Sequence, residues 1–331
     1  MRMNESRRRF LATFGSAGAI GIMGVSTPSA QEAPPETSTI RLFKMPGICI
    51  APQYVAEEML KSEGFKDIEY FDTGINTYAA LMSGKADIGM AFVANFIVHL
   101  DAGAPIVLLG GVHTGCYELF GTESVQGIRD LKGKTVAVPE LGSAHQLFVS
   151  SMMTFVGLDP ARDVNFVVYS PAESIELLAE RKVDALMGFP PVPQELRERK
   201  IGHLIVSSGL DRPWSQYFCC TVGANRDFAR RNPVATKRAL RAILKAAQFC
   251  SAEPERAARL MADKGYRYDF ALQTMNEIRY ASWRDYAPED AVRFYALRLR
   301  EAGMIKSTPN KILTEGTDWR FFDELKRELK G

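Results

Sequence analysis

Cysteine and histidine side chains can bind a metal or act as a nucleophile, and both occur in this 331-residue sequence. There are five cysteines and four histidines, but they match none of the motifs H-E-x-x-H, paired C-x-x-C or G-x-S-x-G. An odd number of scattered cysteines is not a disulfide framework, and the adjacent Cys219 and Cys220 would point to opposite faces of a strand. We therefore interpret the cysteines mainly as small buried side chains and leave open the oxidation of one pair. No metal, cofactor or catalytic residue is predicted.

One short motif resembles a phosphate-binding loop. Gly133, Lys134 and Thr135 match the end of the pattern G-x-x-x-x-G-K-T, but Gly127 lies one residue too far upstream. A strand is predicted after this motif, whereas a phosphate loop leads into a helix whose N-terminus meets the phosphate. Nucleotide binding through this segment is therefore not expected.

The turns that follow predicted strands are better candidates, because ligands of open α/β sheets bind beyond the carboxyl ends of the strands. Gly142 and Ser143 open a predicted helix whose accessible N–H groups would attract an anion, although an ordinary helix cap explains them equally well. Phe92 and Phe189 end two matching strands and would wall a cleft, with a core position as the alternative. No arginine lies in these turns, which argues against a bidentate clamp on carboxylate or phosphate. The predicted ligand-binding residues are Gly47, Ile48, Cys49, Thr73, Gly74, Phe92, Asn95, Gly142, Ser143, Ala144, His145, Phe189, Pro190 and Trp214.

A repeated sequence motif indicates the elements that would position these residues. Residues 85–92 read K-A-D-I-G-M-A-F and residues 182–189 read K-V-D-A-L-M-G-F. Each copy follows an apolar helical pattern and continues into a short apolar strand, which is typical of a buried parallel strand in an α/β layer. The repeat predicts two similar lobes, with a chance similarity as the alternative.

The rest of the sequence fits alternating strands and helices, the pattern of mostly parallel sheets with covering helices. We predict strands at 40–44, 68–71, 87–92 and 106–109 in a first unit, and at 135–138, 164–168, 183–188 and 204–206 in a second. Residues 127–134 are assigned to a polar connection, and a strand at 217–222 precedes a helical C-terminal region. Asn232 is expected to cap a long helix that begins with Pro233.

The first thirty residues have the composition of an export signal. Three arginines at 7–9 precede a Gly- and Ala-rich apolar stretch at 12–25 and small residues at 26–30, which resembles a twin-arginine signal. The apolar stretch is shorter than the roughly 20 residues that span a bilayer. Residues 31–37 are expected to form a linker. The net charge of +2 in the whole chain argues against a nucleic-acid partner.

Several loose motifs, taken in order, resemble one protein family. They are Y-V-A-E at 54–57, A-D-I-G at 86–89, L-K-G-K-T-V-A-V at 131–138, Gly142-Ser143, V-D-A at 183–185 and Asn232-Pro233. Together they resemble the periplasmic substrate-binding proteins of ABC importers of the nitrate/sulfonate/bicarbonate (NitT/TauT) type, over nearly all of the chain after residue 37.

The resemblance implies a two-lobed type II periplasmic-binding-protein fold, with mostly parallel sheets, covering helices and a hinge of two crossings. Residues 38–116 and 212–331 would form lobe one, and residues 117–211 lobe two. The crossings would lie at 115–117 and 211–214. A small-molecule ligand would bind between the lobes of a monomer in the periplasm, and its partners would be an ABC permease and its ATPase. An enzymatic function is not expected.

Two alternatives on the same fold remain at this point. Thiamine-pyrimidine synthases carry a longer cysteine-rich run in the strand where this sequence has only Cys219 and Cys220. A ligand sensor without a transport role is the other alternative. For the ligand, a small organic anion such as a sulfonate is preferred over a neutral heteroaromatic ring. The anion would be held by N–H groups at 142–145 with Thr73 and Asn95, whereas the aromatic side chains would suit a ring.

Overall fold

The computed structural model describes residues 32–71 and 77–329, without the side chain of Thr77. The predicted export signal lies outside these residues. The strands form two five-stranded sheets. In chain order they are β1 (Thr39–Phe43), β2 (Asp67–Phe71), β3 (Ile88–Phe92), β4 (Ile106–Thr114), β5 (Glu118–Gly121), β6 (Lys134–Val138), β7 (Val164–Val168), β8 (Ala185–Gly188), β9 (His203–Ser207) and β10 (Phe218–Asn225).

The two sheets share one topology. Sheet one has the order β2-β1-β3-β10-β4 and sheet two the order β7-β6-β8-β5-β9. In each sheet one strand is antiparallel to its neighbours, β10 in the first and β5 in the second, and the other four run parallel. The predicted mostly parallel α/β architecture is confirmed. Strand β5 was not predicted, since only a connection was expected between the two units.

Helices cover the sheets and form the C-terminal region. They are α1 (Ala51–Val55), α2 (Glu57–Ser62), α3 (Thr77–Met82), α4 (Val93–Asp101), α5 (Ala144–Phe155), α6 (Pro171–Ala179), α7 (Val192–Arg199), α8 (Arg226–Arg231), α9 (Pro233–Ala252), α10 (Pro254–Ala262), α11 (Tyr268–Glu277), α12 (Pro288–Glu301), α13 (Pro309–Gly316) and α14 (Arg320–Glu328). Short 3-10 helices lie at Ile128–Leu131, Trp214–Gln216 and Tyr280–Arg284. No helix among the described residues is long and apolar enough to cross a bilayer.

The repeated sequence motif has the same structural role in both sheets. The Asp87 carboxylate accepts a hydrogen bond from Arg41 N of β1 at 2.9 Å, and Asp87 N donates to Arg41 O at 2.7 Å. In sheet two, the Asp184 carboxylate accepts from Thr135 N of β6 at 2.9 Å, and Asp184 N donates to Thr135 O at 2.8 Å. Each aspartate thus pairs with the neighbouring parallel strand just before its own strand begins. The repeated motif therefore forms the same pair of hydrogen bonds at the start of β3 and at the start of β8.

Helix α9 begins differently from the prediction. Asn232 occupies the position before its first turn, but the Asn232 side chain makes no capping bond and instead donates to Phe228 O at 3.1 Å. The carboxylate of Glu36, from the predicted linker, accepts hydrogen bonds from Val234 N at 3.0 Å and Ala235 N at 2.8 Å. A carboxylate suits this place because it meets the free N–H groups and the positive end of the helix dipole. Asn232 and Pro233 thus hold the predicted cap and first positions of α9, but the capping hydrogen bonds come from Glu36 and not from the Asn232 side chain.

Two segments connect the sheets, 115–117 between β4 and β5 and 208–217 between β9 and β10, and they run side by side. Tyr117 N donates to Ser208 Oγ and Ser208 N donates to Tyr117 O, both at 2.9 Å. At Gly115, where φ is +45°, a Cβ atom would lie 2.2 Å from the Gly209 Cα atom. Both sheets belong to one compact unit that begins at Pro34. The predicted lobe boundaries at 116 and 211 stay a prediction.

Candidate ligand-binding cleft

The loop after β1 meets the loop after β8 directly. Ile48 N donates to Pro190 O at 3.0 Å. The Phe189 ring lies so close to Gly47, where φ is +120°, that a Cβ atom at Gly47 would be 2.6 Å from Phe189 Cε2. Gly47 N also donates to the hydroxyl of Tyr266 at 2.8 Å. The structure thus brings together four of the predicted residues, two from each sheet, and adds Tyr266.

A second contact between the sheets joins α4 to the turn before α5. Asn95 is buried, and its Nδ2 atom donates to Gly142 O at 3.4 Å. The other end of the same amide, Oδ1, is buried without a hydrogen-bond partner. A buried polar atom without a partner costs free energy unless a ligand or water satisfies it. Asn95 is therefore a predicted residue with an open hydrogen-bonding position.

The expected accessible N–H groups at 142 and 143 are already engaged. Gly142 N donates to Gln146 Oε1 at 2.6 Å, and Ser143 N donates to Glu140 O at 3.2 Å. The Ser143 side chain accepts from Gln146 N, so Ser143 is the ordinary cap of α5. Ala144, the first residue of the helix, is half-buried. The expectation of open N–H groups at these two residues is wrong for this structure, because the side chain of Gln146 folds back onto the turn.

His145 lies among aromatic rings in the first turn of α5. Its ring centroid is 5.7 Å from that of Tyr117 and 5.2 Å from that of Phe189. Its Nδ1 atom is buried without a hydrogen-bond partner, and burial lowers the pKa of His145 to about 4. The imidazole is thus neutral at pH 7, since desolvation disfavours its charged form. It can donate or accept one hydrogen bond but brings no positive charge.

Phe92 and Trp214 lie behind this site, in the core. Phe92 is 2% exposed, and its ring centroid is 5.2 Å from the rings of Tyr117, Phe148 and Tyr295. Trp214 is also 2% exposed and packs edge-on against Phe148. The core alternative stated for Phe92 is therefore the one that the structure shows. Phe92 supports Tyr117, which touches both Phe189 and His145.

Of the three predicted residues that remain, the structure describes only Cys49, which does not line this contact between the sheets. Cys49 is buried, and its thiol lies beside those of Cys116 and Cys220. Thr73 and Gly74 lie outside the described residues.

A small cavity at the carboxyl ends of β6 and β8 also opens beside His145. Its lining includes Ala137, Pro139, His145, Pro171, Ser174, Leu186, Met187 and Val192. We use the name cleft for Gly47–Ile48, Asn95, Gly142–His145 and Phe189–Pro190, with Tyr117 and Tyr266.

Tyr117, Tyr266 and Gln146 were missed by the sequence analysis. Tyr117 lies in a connection rather than after a parallel strand, and Tyr266 reaches Gly47 from the helical C-terminal region. The role of Gln146 could have been predicted, because the side chain of a Glu or Gln in the first turn of a capped helix often accepts a hydrogen bond from the turn before it.

A family model described as the NMT1-like family matches residues 33–263. The chain belongs to this family. A binding protein of Brucella abortus (strain 2308) is 24% identical over 196 residues, which are 59% of this chain and 60% of that relative. The match thus spans less than two thirds of the relative's length.

Solved structures show the fold. The periplasmic nitrate-binding protein NrtA from Synechocystis PCC 6803 has a TM-score of 0.73 at 16% identity, over 90% of each chain. The periplasmic aliphatic sulphonate binding protein SsuA from Escherichia coli has a TM-score of 0.64 at 18% identity, over 83% of this chain and 91% of that one. The desulfurization enzyme DSZB, at 15% identity over 88% and 99%, has a TM-score of 0.60, so enzymes also use this fold. The predicted periplasmic-binding-protein fold is confirmed.

Proposed function

We propose that this protein is the solute-binding component of an ABC import system and holds a small organic anion in the cleft. The observation that carries the proposal is the pair of buried polar atoms without partners, Asn95 Oδ1 and His145 Nδ1, at the place where the sheets meet. Sites of this kind combine apolar walls with a few polar groups that orient the ligand. Relatives named as nitrate/nitrite binding proteins and neighbours named as sulfonate-binding proteins support the transport role.

The chemistry of the cleft favours an organic anion over a bare inorganic one. A neutral His145 can donate from Nδ1 to an oxyanion. Asn95 Nδ2 is bonded to Gly142 O, so the open Oδ1 atom would accept a hydrogen bond from an N–H or O–H group in the organic part of the ligand. The rings of Tyr117 and Phe189 would cover an apolar or flat substituent. Such a ligand would be handed to a membrane permease driven by its ATPase, after export of the protein to the periplasm through the twin-arginine-like signal.

A thermal-shift screen of the chain from residue 31 tests this proposal. The panel contains nitrate, bicarbonate, taurine, alkyl and aryl sulfonates, aromatic carboxylates and pyrimidines. A ligand at a thousand times its Kd adds about 4 kcal/mol, which at roughly 2–4 °C per kcal/mol raises Tm clearly. We expect sulfonates or carboxylates with an organic substituent to give the largest shift. A shift with pyrimidines alone would contradict the anion, and no shift with any compound would contradict the proposal.

Two variants test whether the ligand binds at Asn95. Asn95→Ala should lower the affinity at least tenfold, because the ligand loses a buried hydrogen bond. Asn165→Ala, at an exposed position on β7, is the matched control and should bind normally. Mass spectrometry of the recovered ligand checks the role: an importer component returns it unchanged, whereas a converted ligand would favour an enzyme.

A further inference from the structure

Four of the five cysteines meet at the place where the chain passes between the sheets. Cys49 follows β1, Cys116 lies in the first connection, and Cys219 and Cys220 begin β10. The sulfur atoms of Cys49, Cys116 and Cys220 all lie within 4.8 Å of one another, and Cys116 Sγ is 3.2 Å from Cys219 Sγ. All four side chains are buried. We call this group the thiol cluster.

The spacing of the three sulfurs suits a single metal ion. Thiolate–zinc bonds are about 2.3 Å long, so two sulfurs on one tetrahedral ion lie somewhat under 4 Å apart. The three side chains come from three separate segments, so they meet only in the folded protein.

His113 provides an independent observation. It is fully buried at the end of β4, and its Nδ1 atom is 3.3 Å from Thr114 O. A carbonyl oxygen can only accept, so this contact places the proton on Nδ1 and leaves the lone pair on Nε2. That Nε2 atom is buried without a hydrogen-bond partner. An imidazole whose other nitrogen is fixed by a backbone carbonyl has the arrangement that metal-binding histidines show.

The sheet topology places His113 next to the thiol cluster. In the pairing of β4 with β10, His113 lies opposite Cys220. The imidazole thus lies beside Cys220 with an unused lone pair on Nε2, outside the 4.8 Å within which the three sulfurs lie of one another.

From these contacts we infer that Cys49, Cys116 and Cys220 form a metal site for a thiophilic d¹⁰ cation of the Zn²⁺ or Cu⁺ class, and that His113 becomes the fourth ligand when its ring turns toward the bound ion. Thiolate and imidazole ligands select such cations over Mg²⁺ or Ca²⁺, which prefer oxygen. A bound ion would join the loop of Gly47 and Ile48 to the first connection and to the start of β10, and so hold the base of the cleft. The site does not depend on the identity of the ligand in the cleft.

The experiment uses the whole chain from residue 31, reduced and freed of metal with a chelator. Zn²⁺ and Cu⁺ are added in separate titrations against competing chelators, and bound metal is counted by elemental analysis. We expect one tightly bound ion per chain for at least one of the two cations, and none for Mg²⁺. Absence of binding by the reduced protein would overturn the inference.

Two variants separate the site from adventitious thiol binding. Cys220→Ser should weaken metal binding at least a hundredfold, and His113→Gln at least tenfold. Cys250→Ser is the matched control, because Cys250 is a buried thiol in α9 and should leave the metal affinity unchanged. Circular dichroism of the metal-free variants checks that each is folded. Equal metal affinity in Cys220→Ser and Cys250→Ser would also overturn the inference.

Discussion

Asp87 and Asp184 hold equivalent positions in the two sheets but differ in their surroundings. The Asp87 side chain is 2% exposed and also forms an ion pair with Arg41, with Arg41 Nε at 3.0 Å. The Asp184 side chain is 30% exposed, and its ion pair with Lys134 is longer, at 3.7 Å. The aspartate of the repeated motif therefore contributes more to the stability of the fold in sheet one than in sheet two.

Replacing each aspartate by alanine should reveal this difference. Asp87→Ala leaves the Arg41 N–H without its acceptor and a partly buried guanidinium unpaired, so we expect a loss of about 2–3 kcal/mol in the free energy of unfolding. Asp184→Ala should cost about 1 kcal/mol, because water replaces much of what the carboxylate provides. Urea unfolding followed by circular dichroism measures both, and equal losses would contradict the argument.

At the scale of elements, Glu36 caps helix α9, a role that the sequence analysis did not predict. Glu36→Ala removes a carboxylate that accepts two N–H groups at the start of α9, and we expect a loss of about 1 kcal/mol. Asn232→Ala, at the position that the sequence favours as the cap, should cost less, since its amide bonds only to Phe228 O. Chemical denaturation of both variants decides the order, and a larger loss for Asn232→Ala would restore the original prediction.

The elements that the sequence predicted well are those with local signals. Buried strands such as β3 are continuous apolar runs, and the apolar stripe of α9 at Leu240, Ile243 and Leu244 is fully buried as its spacing indicates. Strand β5 has four residues and no such run, and it exists because β8 and β9 pair with both of its edges. Its place in the sheet is a long-range property that no local pattern carries.

The candidate cleft was predicted in outline and not in detail. The rule that ligands bind beyond strand ends selected Gly47, Asn95 and His145, which the structure brings to the contact between the sheets. The same rule could not show that Gln146 Oε1 accepts a hydrogen bond from Gly142 N, because that bond depends on the rotamer of the Gln146 side chain. Nor could it separate Phe189, at the contact, from Phe92, in the core, since both end equivalent strands.

At the scale of the whole molecule, an exposed ion pair joins the C-terminal region to a helix that covers sheet two. Arg267 of the segment before α11 makes a bidentate ion pair with Glu198 of α7, at 2.8 and 2.9 Å, and both side chains are about half exposed. Exposed pairs of this kind are worth about 0–1 kcal/mol. The two connections between the sheets are packed much more tightly, at Gly115 and Gly209. Hinge motion would therefore separate the surface contacts first and bend the chain at these connections.

Gly115→Ala tests the connections. A Cβ atom would meet the Gly209 backbone at 2.2 Å, so the two segments would have to move apart, and the residue would also keep an unfavourable positive φ. Gly133→Ala is the matched control, since Gly133 has φ +74° but no atom within 4 Å of the added Cβ. The control should lose about 1 kcal/mol of stability from backbone strain alone, and Gly115→Ala at least twice as much. Small-angle scattering should show a larger radius of gyration for Gly115→Ala only, because its sheets are no longer held at the same distance. If the two variants lost equal stability and kept the same radius, the close approach of the connections would have no part in setting the distance between the sheets.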